Sequence, residues 1–192
     1  MATTSSVRNS GLVQNYSALI SGVSLLLMSI IASIAYFNQI LELFFVVGLL
    51  DFIVGISIYF CFKDRLLRFA MWAGFSRAIY SILLLIIIWM NLDDWQSFNN
   101  SFTLLLGFFG LHLWIQSWLF LKLKTLSYLM AFLVFISGFG YIFDSLLAAF
   151  QSAGISSIAG YTFVGEIVMA FWFLVIAFRH WPRVTNMSQS RR

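Results

Sequence analysis

Only 9% of the residues in this 192-residue chain are charged, and it holds a single proline, a single cysteine and two histidines. Each scarcity removes a class of explanation. Soluble domains carry about a quarter of their residues as charges, so this chain cannot cover a water-facing surface. Cys61 alone excludes a disulfide framework and a thiolate-based metal site. His112 and His180 offer no HExxH spacing, and no Gly-x-Ser-x-Gly pattern surrounds Ser137 or Ser145, which removes the usual setting of a serine nucleophile. Pro182 lies beyond the last apolar run, so continuous helices are expected rather than the broken helices of many transporters. Basic residues are too few and too dispersed for a nucleic-acid partner, and none is expected.

What the chain has instead is apolar length, with 61% hydrophobic and 19% aromatic residues. Six runs reach the roughly 18–20 residues that a bilayer-spanning helix needs: 17–37, 41–62, 69–90, 101–121, 126–150 and 161–180. The expected fold is all-α, a polytopic integral membrane protein built as one six-helix transmembrane bundle. Residues 1–16 and 181–192 form its tails. In the first run, Ala18, Gly22, Ser29 and Ser33 recur at the small-residue spacing that lets membrane helices approach closely.

Basic residues then orient the bundle. Arg8, the 63–68 segment (Lys63, Arg65, Arg68), Lys122 and Lys124, and the C-terminal group (Arg179, Arg183, Arg191, Arg192) fall at alternate ends of the runs. The intervening loops carry no Lys or Arg, and one holds Asp93 and Asp94. The positive-inside rule places both termini in the cytoplasm of a plasma-membrane protein. Arg77 is the exception, because it lies inside the third run.

Arg77 belongs to a small set of polar residues inside apolar runs, with Asp51, His112, Tyr141, Asp144 and Glu166. A charged side chain at mid-membrane costs at least about 2.5–3.5 kcal/mol, so such groups must face inward, pair or become neutral. At about 1.5 Å per helical residue, Glu166 and Asp144 fall about 8 and 9 Å below the outer end. Asp51, His112 and Arg77 fall about 15, 16 and 18 Å down, in a second layer. Asp51 and Arg77 are expected to form a supporting ion pair on antiparallel neighbours.

That leaves Asp144 and Glu166 to be neutralised by something else. With His112 and Tyr141 they form the candidate site for a proton, an ion or the cationic part of a small ligand. Two other readings stay open. The same residues could only hydrogen-bond one another, specifying helix register in an assembly subunit with partner membrane subunits or further copies of the chain. Alternatively, two carboxylates and a histidine are chemically adequate ligands for the metal of an intramembrane hydrolase. Haem is disfavoured because His180 lies at the cytoplasmic boundary, leaving His112 without a histidine partner, although a Met ligand stays open. Cofactor and metal are otherwise unspecified, and the balance is against an enzyme.

The run Gly110-Leu-His112-Leu with Lys122, the stretch Gly138-Phe-Gly140-Tyr141-Ile-Phe-Asp144-Ser145, and Gly165-Glu166 with Trp172 resemble the membrane family catalogued as domain of unknown function 4386. Asp51 and Arg77 also match its pattern. The resemblance implies a six-helix membrane protein of bacterial type, and it implies no activity, ligand or residue role.

Overall fold

A computed structural model describes residues 3–123, 127–150, 158 and 162–189, with side chains described at 11–123, 128–150, 158 and 162–178. Five helical elements account for nearly all of them: α1 (Thr3–Asn38), α2 (Leu41–Met90), α3 (Trp95–Lys122), α4 (Ser127–Ala149) and α5 (Val164–Gln189). α1, α2, α3 and α4 each contain a stretch long and apolar enough to cross a membrane, and α5 adds a shorter apolar stretch, Val164–Phe178. The basic residues expected in the tails and in the 122–126 connection fall largely outside the described side chains, as does His180.

Fifty residues of straight helix would run about 75 Å, far more than the roughly 30 Å of a hydrocarbon core. α2 does not run straight. Leu66 takes non-helical angles (φ −142°, ψ 60°) among Lys63, Asp64, Arg65 and Arg68, charges that cannot stay in hydrocarbon. Beyond it the helix folds back on itself. A methyl group added to Gly55 would sit 3.0 Å from the Gly74 carbonyl oxygen, so the two halves touch backbone to backbone. α3 and α4 meet in the same way, because a methyl on Gly110 would lie 2.5 Å from the Gly138 carbonyl oxygen. Ser117 Oγ donates to the Ala131 carbonyl (2.8 Å) and Ser145 Oγ to the Leu104 carbonyl (2.9 Å), tying the pair at two further levels.

Local chemistry sets two element ends. Asp94 caps α3, its Oδ1 accepting from the Gln96 and Ser97 amides at 3.0 and 3.1 Å. α3 therefore begins at Trp95, ahead of the predicted residue 101, and Trp95, Phe98 and Phe102 pack on Phe44 of α2. α1 likewise starts at Thr3, ahead of the predicted residue 17. It ends in a Schellman turn, with Gln39 in the left-handed region (φ 56°), Ile40 N–H donating to Ala35 at 2.9 Å and Gln39 N–H to Tyr36 at 3.3 Å.

The elements pack as a ring, α1 on α2, α2 on α3, α3 on α4, α4 on α5, and α5 back on α1. Side chains on the outer surface are large and apolar, Phe37, Trp72, Trp89 and Phe150 among them, as contact with lipid requires. At the end of the ring that carries the Leu66 bend, Phe62, Phe120, Trp172 and Phe173 pack together with ring centroids 4.9–6.3 Å apart. They close that end of the interior.

Candidate functional site: a carboxylate-lined cavity

Above this aromatic floor lies a polar layer. Arg77 is fully buried; its Nε and Nη2 donate to Asp51 Oδ1 at 2.8 and 2.5 Å, and Ser81 Oγ donates to Asp51 Oδ2 at 3.1 Å. The Arg77 guanidinium also stands over the Phe109 ring, 5.3 Å from its centroid. His112 joins this layer rather than the two distal carboxylates. Its Nε2 lies 3.4 Å from Arg77 Nη1 and its Nδ1 lies 2.9 Å from Ser76 Oγ. A guanidinium can only donate, so Nε2 is the acceptor and the proton sits on Nδ1, which donates to Ser76. Ser76 in turn donates to the Ala73 carbonyl at 3.2 Å. Both His112 nitrogens are thus engaged, Nε2 with Arg77 and Nδ1 with Ser76.

Toward the opposite end, where the 39–40 and 91–94 turns lie, the ring encloses a cavity of about 1090 Å³. Asp51, Asp144 and Glu166 all line it, as do Tyr80 and Tyr141. The carboxylates are staggered. Asp51 lies deepest, at the Arg77 layer. Glu166, at the start of α5, accepts from Tyr141 Oη at 2.5 Å. Asp144, one turn along α4 toward the turn-bearing end, accepts the Ile158 amide at 2.9 Å. Ring packing links the two depths, with Tyr80 4.6 Å and Tyr141 5.4 Å from Phe109 between centroids.

The sequence put Asp144 and Glu166 on one level with His112 beneath. In the structure Glu166 meets Tyr141, Asp144 accepts the Ile158 amide, and His112 does not line the cavity. Among the described residues, no three His, Cys, Asp or Glu side chains are placed to share one metal ion. Sequence reasoning did not single out Tyr80, Ser76 or Phe109 as site residues. Tyr80 and Ser81, at i+3 and i+4 from Arg77, carried a helical-face signal; Ser76, its chain neighbour, carried none.

Fold and interior together define a multi-pass helical membrane protein with a polar, partly charged core. Residues 90–177 match the family described as Domain of unknown function (DUF4386), so the resemblance read from the residues holds over that span. The chain is also 29% identical over 153 residues to an uncharacterized protein of Archaeoglobus fulgidus, covering 77% of this chain and 93% of that one. No solved structure matches.

Proposed function

We propose that the protein crosses the plasma membrane six times, with both termini cytoplasmic and the turn-bearing end of the cavity facing outward. In this reading, which counts the two halves of α2 separately, the cavity binds a small ligand or ion from the outside, at Glu166, Tyr141 and Asp144. One observation carries it: three carboxylates face a single cavity, and among the described residues Glu166 has no ion-pair partner, the buried arginine being on Asp51. The aromatic floor of Phe62, Phe120, Trp172 and Phe173 supports binding or sensing over through-passage, because a conduit would need a polar path there. A structural role fits the other half of the interior. The Asp51, Arg77, His112 and Ser76 network holds α2 to α3 and supports the cavity from below.

Glu166→Gln and Asp144→Asn test this reading. Both variants should fold and reach the membrane, while ligand- or pH-dependent changes in the protein's intrinsic fluorescence should be lost. Variants that change only stability or assembly would point to a scaffold.

A further inference from the structure

The shape and lining of the cavity say more about its occupant. Glu166 has no basic side chain within ion-pair distance among the described residues, and its one hydrogen bond comes from Tyr141. Tyr80 is 5% exposed and lines the same cavity. A buried carboxylate turned toward that space leaves a charge requirement for an occupant to meet. Phe44 and Phe102 supply apolar wall to that space, their centroids 5.3 Å apart.

A lone proton would neutralise Glu166, but it would leave the Tyr80 hydroxyl and the aromatic walls unused. A hard metal ion would need several oxygen ligands converging within about 2.6 Å, which the staggered carboxylates do not provide. A neutral apolar molecule would strip water from Glu166 and return nothing. An anion would meet the Glu166 carboxylate, with the one described buried cation already on Asp51. A volume of about 1090 Å³ matches the upper range of pockets for drug-sized molecules, which are mostly apolar with a few placed polar groups.

Resting on the reading of the cavity as a ligand site, we propose that its occupant is an organic cation: a protonated or quaternary amine, or a related onium, carried on an apolar frame. The cationic centre lies against Glu166, within reach of the Tyr80 oxygen, and the frame lies along the aromatic walls. Aromatic faces and a carboxylate reinforce one another for such ligands, because a desolvated cation is attracted to both.

The test uses two probes of matched size and opposite charge, tetraphenylphosphonium and tetraphenylborate, with triphenylphosphine oxide as a neutral analogue. Binding is measured by equilibrium dialysis on the full chain in zwitterionic nanodiscs, with empty nanodiscs subtracted. Tetraphenylphosphonium should bind saturably at one site per chain. Glu166→Gln should weaken it at least about tenfold, about 1.4 kcal/mol, with an unchanged thermal midpoint showing that the variant folds. Tetraphenylborate should not bind saturably. Tyr80→Phe should spare tetraphenylphosphonium, which has no hydrogen to donate, but weaken benzyldimethylammonium several-fold. Equal binding of cation and neutral analogue, insensitive to Glu166→Gln, would overturn the proposed class while leaving a ligand cavity in place. Saturable binding by none of the probes would overturn the class, and failure of the Glu166→Gln fluorescence test as well would remove the ligand site itself.

Discussion

Replacing Asp51 with leucine should be among the most damaging single changes in the protein. Its carboxylate accepts from Arg77 Nε and Nη2 on one oxygen and from Ser81 on the other, all fully buried. Removing it leaves the Arg77 guanidinium buried without its counter-charge, which costs about 3–5 kcal/mol. Arg77→Met leaves the carboxylate stranded and should cost a similar amount. The double variant, Asp51→Leu with Arg77→Met, removes both charges and leaves one lost partner, the donor to His112 Nε2 at 3.4 Å. An unsatisfied buried acceptor costs about 1–3 kcal/mol. The double variant should therefore be more stable than either single one, with a coupling of at least about 3 kcal/mol. Denaturation by SDS in mixed micelles, followed by far-ultraviolet circular dichroism across the four proteins, gives the cycle. Additive losses would refute the buried ion pair as an energetic unit.

Two further expectations concern element ends. The Asp94 carboxyl is held below the usual carboxylate range, chiefly by the Ser97 hydroxyl and then by the Ser97 amide. Its contribution is complete above the unfolded value, about 3.9, and is lost as pH falls through the lower folded value. Amide exchange at Gln96 and Ser97, corrected for intrinsic rates, should lose protection between pH 5 and pH 2, and Asp94→Ala should abolish that dependence. Gln39 occupies a left-handed position that glycine adopts without strain, so Gln39→Gly should stabilise by about 0.5–1 kcal/mol in the same SDS titration. A loss of stability there would mean that the Gln39 side chain does more than close the turn.

Much of the interior was legible from chain position because a membrane converts residue number into depth. Asp51, Arg77 and His112, placed on one level by counting along helices, are in contact. The charges at 63–68 marked where α2 turns back. Glu166 meets Tyr141, a contact that depth alone does not single out. The start of α3 was missed for a local reason: residues 91–100 look like a polar loop, while the Asp94 cap and the packing of Trp95, Phe98 and Phe102 on Phe44 make most of them helical. Which hydroxyls point into the cavity depends on how neighbouring helices are rotated, and that information is tertiary.

The proposed orientation makes the acidic cavity accessible from outside the cell, and one thiol in its wall tests that. Thr103 lines it without joining its charged groups, so Thr103→Cys in a Cys61→Ser background places one thiol in its wall. In intact cells, a trimethylammonium-bearing methanethiosulfonate should modify that thiol at least about tenfold faster than the sulfonate-bearing reagent, since an acidic cleft concentrates cations by factors of about 10 or more. Equal rates for the two reagents, or modification only from the cytoplasmic side in inverted vesicles, would contradict an acidic cavity open to the outside.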